Sequence, residues 1–279
     1  MIVYSEIASI QKRIQSFNKG GSVGFVPTMG ALHKGHLSLI KQAKLENDVV
    51  VVSIFVNPTQ FDKKEDLVNY PNTLKEDLSL LKSVDCDIVF TPNPKEIYGE
   101  NVKAKTFDFD GLEFQMEGKY RNGHFNGVGT IVKRLFEIVT PTNAYFGEKD
   151  FQQLQIIKKL VEKHKIAITI IACKIFRESD GLAMSSRNLR LSKNYRLAAP
   201  FIYKTLLKVK DLFGTKNVEE IVNWVENEFK NHPLLNLEYF EIADEKTLKP
   251  AKKTTSNKKY RAFVAVFAGK IRLIDNISL

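Results

Sequence analysis

Apolar residues follow two different spacings in the first part of the chain. Ile7, Ile10 and Ile14 recur every three or four positions, which is the spacing of an amphipathic helix. Residues 22–26 and 49–56 are short apolar segments instead, and the β-branched run over 49–56 is typical of a parallel strand that is covered on both faces. The pattern therefore predicts a helix followed by buried strands.

The same spacings continue through residue 172. They predict helices that begin near residue 35 and that cover 74–81, 128–139 and 151–161, a short apolar segment over 144–147, and strands over 87–90 and 166–172. Thr73 and Glu76 have the spacing of a capping box at the start of the 74–81 helix. Strands that alternate with helices predict an α/β fold, a doubly wound parallel sheet of the Rossmann-like type, over residues 1–176.

The remainder of the chain has a different pattern. Two helical segments over 193–213 and 218–229 precede three apolar strands over 237–243, 260–267 and 271–274. This order predicts a smaller α+β C-terminal domain over residues 191–279. Residues 177–190 are rich in Ser, Gly and Arg, so we expect a hinge there, with the smaller domain acting as a lid.

Cysteine content and hydropathy indicate the cellular environment of the protein. Cys86 and Cys173 have neither a metal-site spacing nor a disulfide framework, so we expect two buried thiols and a cytoplasmic protein. No apolar run approaches the roughly 20 residues of a membrane-spanning helix, and the first residues lack a signal-peptide pattern. We therefore expect no membrane partner.

The net charge of +10 makes nucleic acid or a phosphate-bearing small molecule the candidate partner. The charge is densest over residues 246–261, where seven of sixteen residues are Lys or Arg. Tyr260 is the only aromatic residue in that segment, whereas nucleic-acid surfaces interleave aromatic and basic side chains. The segment therefore predicts a solvated loop, and we expect no nucleic-acid partner.

The first segment with clear chemistry covers residues 25–36 and reads Phe-Val-Pro-Thr-Met-Gly-Ala-Leu-His-Lys-Gly-His. It places His33 and His36 after a strand and at the start of a helix. A helix N-terminus offers backbone N–H groups and the positive end of the dipole, and Gly35 permits close approach, so this spacing predicts a phosphate site. The chain has no G-x-x-x-x-G-K-[ST] loop, and Gly127-x-Gly129 lacks the third glycine of a dinucleotide site, so those two glycines indicate close helix packing.

Further blocks carry a resemblance to a known family. The H-x-G-H block is similar to that of the nucleotidyltransferase superfamily, and the full set resembles the pantothenate synthetase family. The other blocks are residues 55–61 (F-V-N-P-T-Q-F), Tyr70-Pro71 with Asp77, 123–128 (G-H-F-N-G-V), 146–153 (F-G-E-K-D-F-Q-Q), 177–188 (R-E-S-D-G-L-A-M-S-S-R-N) and 272–276 (R-L-I-D-N). They stand in the family's order and cover the chain nearly end to end.

This resemblance implies an ATP-dependent ligase that joins pantoate to β-alanine through a pantoyl-adenylate. The implied ATP-binding residues are Pro27, Thr28, Met29, Gly30, His33, His36, Gly147, Lys149, Asp150, Phe176, Met184, Ser185, Ser186 and Arg187. The implied catalytic residues, which would stabilise phosphate charge, are His33, His36, Lys149, Ser185, Ser186 and Arg187. Met29, Asn57, Gln60 and Gln153 would bind pantoate, and Asp77 would lie near Mg²⁺. The family also implies a homodimer built through the first domain, where residues 49–56 suggest an apolar sheet edge.

Several assignments keep an alternative. Asp77 is also placed to be a first-turn carboxylate that the helix dipole stabilises, and His124 is either a structural loop residue or a site residue. The chain departs from the family pattern at Asn122, where proline is common, and at Lys174 and Phe176, near the implied adenine contacts. Two other functions stay open, a nucleotidyltransferase acting on a phosphate acceptor and a basic RNA-binding relative. Neutral amides argue against the first, because Lys or Arg would meet a phosphate.

Overall fold

The computed structural model describes residues 1–17, 20–61, 64–68 and 70–279. Its helices in chain order are α1 (Ile7–Gln15), α2 (Lys34–Glu46), α3 (Lys64–Val68), α4 (Leu74–Lys82), α5 (Pro94–Tyr98), α6 (Met116–Tyr120), α7 (His124–Val139), α8 (Phe151–Lys163), α9 (Lys193–Ala198), α10 (Phe201–Leu212) and α11 (Val218–Lys230). Its strands are β1 (Ile2–Tyr4), β2 (Val23–Thr28), β3 (Val49–Ile54), β4 (Ile88–Phe90), β5 (Asn143–Gly147), β6 (Thr169–Cys173), β7 (Leu235–Asp244), β8 (Tyr260–Ala268) and β9 (Ile271–Ser278).

The described part of the first 174 residues contains a parallel sheet of six strands in the order β1-β4-β3-β2-β5-β6. From β2 the chain winds outward through β3 to β4, and then returns to the other side of β2 for β5 and β6. The winding therefore reverses between β2 and β5, and sheets of this type bind ligands outside the carboxyl ends of the strands at such a reversal. The predicted doubly wound parallel sheet is confirmed.

The strand β3 lies inside this sheet, between β2 and β4. Val50, Val51 and Val52 are fully buried there, so the expectation of an apolar sheet edge at residues 49–56 is wrong. One edge is β1 instead, a strand that the sequence pattern did not predict because three residues are too few to show a period. Ile2 and Val3 are 43% and 44% exposed on this edge.

The helix α7 begins at His124, earlier than the predicted residue 128. Gly123, with a φ of +74°, occupies the position before the first helical residue, so the expected loop around His124 is wrong. A Cβ added to Gly127 would lie 2.2 Å from the carbonyl oxygen of Thr59. Only glycine therefore lets α7 approach the 3₁₀ turn Pro58–Gln60, and the predicted close packing is confirmed at this position.

The predicted capping box at Thr73 and Glu76 does not form, since the Thr73 side chain makes no capping bond at the start of α4. Its hydroxyl donates to Oδ2 of Asp77 at 3.2 Å instead. In a capping box this hydroxyl accepts from a backbone N–H, whereas here it donates to an ionised carboxylate, which is a strong acceptor. Asp77 thereby becomes part of a network that the sequence pattern did not show.

The chain divides into two compact units. Unit 1 comprises residues 1–113, 117–148 and 153–174, and unit 2 comprises residues 114–116, 149–152 and 175–279. Residues 149–152, which follow β5 in the chain, thus belong to unit 2.

Unit 2 is built on the antiparallel sheet β7-β8-β9. Helices α10 and α11 pack on it, through a core that includes Leu206, Val225, Ile242 and Val264. The predicted antiparallel strands are confirmed, but the single helix expected over 193–213 is wrong. The chain forms α9 and α10 on either side of Pro200, because proline lacks the N–H that a continuous helix needs.

The described residues contain no helix long and apolar enough to cross a membrane. Cys86 and Cys173 are buried, as predicted, and burial raises the pKa of each thiol to about 12. Both side chains therefore stay neutral near neutral pH and pack as small apolar groups.

Candidate active site

The segment after β2 folds into a tight loop. Gly30 has a φ of +82° and Ala31 a φ of +50°, and a left-handed alanine persists only where its surroundings hold it. The N–H of Gly30 donates to Oγ1 of Thr28 at 3.2 Å, and that hydroxyl donates to the carbonyl of Ser53 at 2.8 Å. Thr28 therefore joins the loop to β3, and Pro27 lies half-buried in β2 beside it.

Asp77 holds the loop from the side of α4. Its carboxylate, 2% exposed, accepts from the N–H of Ala31 at 3.0 Å through Oδ2 and from the N–H of Leu32 at 2.7 Å through Oδ1. A Cβ on Gly30 would lie only 3.0 Å from Oδ2, so the loop needs glycine for close approach as well as for its φ. Charge-assisted bonds to two successive backbone groups make Asp77 the anchor of this loop.

His33 and His36 come together at the start of α2. The N–H of His33 donates to Nδ1 of His36 at 3.3 Å, and the two rings stack with their centroids 4.0 Å apart. Because a backbone N–H can only donate, a neutral His36 carries its proton on Nε2. Both rings are half-buried at a helix N-terminus, where backbone N–H groups and the dipole favour an anion. The structure thus brings the predicted phosphate pair together.

Three of the four predicted pantoate residues also lie together in unit 1. Nδ2 of Asn57 donates to Oε1 of Gln60 at 3.1 Å, and Nε2 of Gln60 donates to Sδ of Met29 at 2.8 Å. Asn57 is 1% exposed, whereas Met29 and Gln60 are half-buried, so the latter two are within a ligand's reach. Met29 belongs to the loop after β2, so this amide group adjoins the phosphate loop.

Two residues without an assigned role complete this group. The hydroxyl of Tyr98, at the end of α5, donates to Oδ1 of Asn57 at 2.5 Å. Nδ1 of His124 lies 2.8 Å from the carbonyl oxygen of Gln60. Tyr98 is 41 residues from Asn57 in sequence and His124 is 64 residues from Gln60, so no local pattern predicts either contact.

Two more predicted residues lie near the carboxyl end of β5. Gly147 ends that strand, and a Cβ built on it would meet nothing within 4 Å, so its predicted contact with the nucleoside stays a prediction. Gln153 lies in the first turn of α8 and is half-buried. Its placement beside Gln60 stays a prediction.

In unit 2, Lys149, Ser185 and Arg187 line one pocket together with Arg272 and Asp275. Oγ of Ser185 accepts from the N–H of Arg187 at 3.2 Å, which turns a lone pair of the hydroxyl inward and keeps its O–H available as a donor. Ser186 begins the 3₁₀ turn Ser186–Arg190, and the exposed Asp150 carboxylate lies 3.5 Å from Nζ of Lys149. The pocket therefore brings together three of the four donors predicted for this part of the chain, Lys149, Ser185 and Arg187, whereas Ser186 is not among its lining residues.

A buried ion pair ties these segments to β9. Arg177 donates to both oxygens of Asp275, at 2.6 and 2.9 Å, and stacks on the ring of Tyr203 at 3.6 Å. Nδ2 of Asn276 donates to the carbonyl oxygen of Lys149 at 2.9 Å. Burial raises the pKa of Asp275, and the two bonds from Arg177 oppose that rise. Removing Arg177 would leave the Asp275 carboxylate buried without compensation.

The start of the 177–190 segment is a tight reversal of the chain. The N–H of Met184 donates to the carbonyl oxygen of Phe176 at 3.0 Å, and Arg177 pairs with Ala183 inside the reversal. Phe176 leaves its side chain 37% exposed. Phe176 and Met184, both predicted to bind ATP, are therefore adjacent, with the apolar ring of Phe176 presented at the surface.

The basic segment 246–261 is solvated only in part. Lys252, Lys253, Lys258 and Lys259 are exposed, as predicted. Arg261 is 5% exposed, donates to Oδ1 of Asn276 at 2.6 Å and stacks on a phenylalanine ring at 4.0 Å. The prediction of a solvated loop is wrong for Arg261, because this residue lies in β8 and packs into the core of unit 2.

Comparison with known proteins places this geometry in a family. The sequence pattern of the pantoate-beta-alanine ligase family matches residues 2–278. The chain belongs to the pantoate-beta-alanine ligase family. It is 55% identical to the pantothenate synthetase of Flavobacterium psychrophilum over 100% of both chains, and 55% identical to that of Christiangramia forsetii over 100% of this chain and 99% of the relative.

Solved structures agree with this assignment. The pantothenate synthetase of Thermus thermophilus superposes with a TM-score of 0.92 at 38% identity, over 99% of each chain. The pantoate-beta-alanine ligase of Francisella tularensis, solved with beta-gamma ATP and beta-alanine, superposes with a TM-score of 0.82 at 40% identity, over 100% of this chain and 97% of that one. The ligase family and the fold that the motif set implied are confirmed. The roles of individual residues stay predictions.

The described residues of this ligase do not fit a magnesium ion held by the protein alone. No group of three or more His, Cys, Asp or Glu among them is placed to hold a metal ion. Both oxygens of Asp77 already accept from the loop. The predicted position of Asp77 beside Mg²⁺ stays a prediction, and these hydrogen bonds argue against it.

If Asp77 anchors the loop, Asp77→Asn will damage ATP use without changing the response to magnesium. An amide places a donor against one of the two backbone N–H groups, and losing a charged hydrogen bond costs about 1.5–3 kcal/mol, so kcat/KM for ATP should fall roughly 10- to 150-fold. The Mg²⁺ concentration that gives half the maximal rate should match that of the unaltered ligase. Glu76→Gln, at an exposed carboxylate of the same helix turn, is the matched control and should change neither quantity. A shifted magnesium midpoint in Asp77→Asn alone would instead identify a metal contact.

Proposed function

We propose that this ligase activates pantoate with ATP and joins it to β-alanine, forming pantothenate, AMP and pyrophosphate. The observation that carries this proposal is the contact between Gln60 and Met29, because it puts a neutral amide beside the loop that precedes the two histidines. A neutral amide that donates an N–H suits the oxygens of a hydroxy acid, whereas a phosphate acceptor would be met by Lys or Arg. No described feature favours the nucleotidyltransferase or the RNA-binding alternative.

In the first step, a carboxylate oxygen of pantoate attacks the α-phosphorus of ATP and the bond to pyrophosphate breaks. The carboxylate is itself the nucleophile, so the protein needs donors for phosphate oxygens and no covalent carrier. We assign that role to His33 and His36 in unit 1 and to Lys149, Ser185, Ser186 and Arg187 in unit 2. Mg²⁺ enters with ATP as part of the substrate and neutralises its phosphates.

In the second step, the uncharged amine of β-alanine attacks the carbonyl carbon of pantoyl-adenylate. The carbon–oxygen bond to AMP breaks, and the amine nitrogen loses a proton as the amide forms. A bound adenylate must be kept from water during this step. We therefore propose that residues 191–279 act as a lid that excludes water and that residues 177–190 act as its hinge. These boundaries, with residues 1–176 as the nucleotide and pantoate domain, are part of the proposal.

We also propose that the ligase is a cytoplasmic homodimer. Support for the dimer now comes from the exposed apolar residues of the edge strand β1, Ile2 and Val3, because such an edge offers unpaired backbone groups and apolar surface to a second chain. Light scattering at micromolar protein should give twice the mass of one chain. A monomer mass would remove this part of the proposal.

The function is tested by its products and by a partial reaction. With ATP, pantoate and β-alanine, AMP and pyrophosphate should appear in equal amounts with pantothenate. Pantoate alone should support exchange of labelled pyrophosphate into ATP, because the first step is reversible and does not involve the amine. Exchange that required β-alanine would rule out the stepwise scheme, and ADP as a product would rule out adenylation.

Removing a side chain that donates a hydrogen bond to phosphate oxygens should slow the first step. Removing one preorganised donor to developing charge costs roughly 100- to 1000-fold in rate, so His33→Ala and Lys149→Ala should slow pyrophosphate exchange by about that factor. Both variants should still convert supplied pantoyl-adenylate and β-alanine to pantothenate. Lys252→Ala, at an exposed lysine of unit 2, is the control for Lys149→Ala and should change neither step. Equal losses in the two half-reactions would indicate a general structural defect.

A further inference from the structure

The side-chain amide of Asn57 has only one possible orientation. Its Oδ1 lies 3.3 Å from the backbone N–H of Thr59, which can only donate, and its Nδ2 lies 3.2 Å from the carbonyl oxygen of Gly127, which can only accept. Exchanging the two ends of the amide would put donor against donor and acceptor against acceptor. The surrounding backbone therefore decides which way Asn57 points.

The orientation of Asn57 decides that of Gln60. Because Nδ2 of Asn57 is a donor, the atom of Gln60 that faces it at 3.1 Å must be the acceptor Oε1. The NH₂ group of Gln60 then lies on the opposite side of the amide, where it contacts Sδ of Met29. The NH₂ group of Gln60 therefore lies on the side of Met29, which is half-buried, and the side-chain oxygen Oε1 faces Asn57 inside the fold.

The hydroxyl of Tyr98 strengthens this arrangement. It donates to Oδ1 of Asn57 at 2.5 Å, and Thr59 Oγ1 donates to the same oxygen at 3.0 Å. Burial raises the pKa of Tyr98, so its hydroxyl keeps the proton that it donates. With two bonds from Nδ2 and three to Oδ1, Asn57 has its hydrogen-bonding capacity used inside the fold.

The backbone of Gln60 is held in a second way. Nε2 of His124 lies 3.0 Å from a guanidinium nitrogen of Arg121, which can only donate, so a neutral His124 carries its proton on Nδ1. That nitrogen donates to the carbonyl oxygen of Gln60 at 2.8 Å. Side chain and backbone of Gln60 are thus held by different helices, α5 through Tyr98 and Asn57, and α7 through His124.

We propose that Tyr98, Asn57 and His124 are positioning residues that make Gln60 a donor-only contact for the acid substrate. This inference rests on the proposed function, and it specifies how the acid is recognised. The part of pantoate that faces Gln60 must be an oxygen that accepts, from its carboxylate or from a hydroxyl. Asn57, assigned to pantoate by resemblance, acts through Gln60 and does not itself contact the acid.

A double-mutant cycle between Tyr98→Phe and Gln60→Ala tests the inference, with the KM for pantoate as the readout. Phenylalanine keeps the ring and removes the hydrogen bond to Asn57 together with the 3.1 Å contact to Thr59 Oγ1. The loss of the bond to Asn57 is worth about 0.5–1.5 kcal/mol, so Tyr98→Phe should raise this KM roughly 2- to 12-fold. The KM for ATP should not change. In the Gln60→Ala background, Tyr98→Phe should have no further effect on the KM for pantoate, because the residue through which it acts is gone.

Tyr145→Phe is the matched control. The Tyr145 hydroxyl is also hydrogen-bonded inside unit 1, donating to Glu46 at 2.8 Å and accepting from Asn47 at 2.6 Å, and it touches none of these residues. Both Tyr→Phe variants should lower the melting temperature, whereas only Tyr98→Phe should raise the KM for pantoate. Calorimetric titration with pantoate gives the same comparison if turnover is low.

Two results would overturn the inference. One is a Tyr98→Phe effect on the KM for pantoate that is the same with and without Gln60, and the other is a Tyr98→Phe variant that behaves like Tyr145→Phe. The proposed function is judged separately, by whether the unaltered ligase makes pantothenate, AMP and pyrophosphate. If the ligase turns over pantoate but the effects of Tyr98→Phe and Gln60→Ala on the KM are additive, the proposed function stands and the positioning role of Tyr98 is wrong.

Discussion

The carboxylate of Asp77 holds the turn of the chain between β2 and α2, on which the candidate phosphate site of unit 1 depends. That turn contains a left-handed alanine, Ala31, and a helix start whose N–H groups must point outward to meet an anion. Neither is stable on its own, and the two backbone bonds from Asp77 offset the strain. His33 and His36 can stack at the start of α2 because the loop in front of them is held in place.

A similar arrangement recurs at two other residues predicted for the site. Gln60 is oriented by Asn57, which is oriented in turn by backbone groups that can only donate or only accept. In unit 2 the segment with Lys149 is held by Asn276, next to the buried pair of Arg177 and Asp275. In each case a residue predicted for the site is held by polar groups of the fold. Such groups reduce the reorganisation that a reaction would otherwise require.

Several local predictions failed, and they did not all fail for the same reason. The Thr73 hydroxyl turned to Asp77 because a carboxylate lay within reach. The helix α7 began at His124, before the predicted residue 128. Arg261 was assigned to solvent from its lysine-rich surroundings, yet strand β8 carries it into the core of unit 2.

The sequence by itself determined the alternation of strands and helices, the parallel sheet, the antiparallel C-terminal strands and, through its ordered motifs, the ligase family. These follow from periodicity and from residue types at fixed spacing, which are local properties of a chain. Only the tertiary structure decided that β3 is interior, that Asp77 binds backbone, that Tyr98 and Asn57 control Gln60, and that Lys149 shares a pocket with Ser185 and Arg187. Each of these depends on residues far apart in sequence that are brought within hydrogen-bonding distance by packing, and no spacing along the chain encodes such a distance.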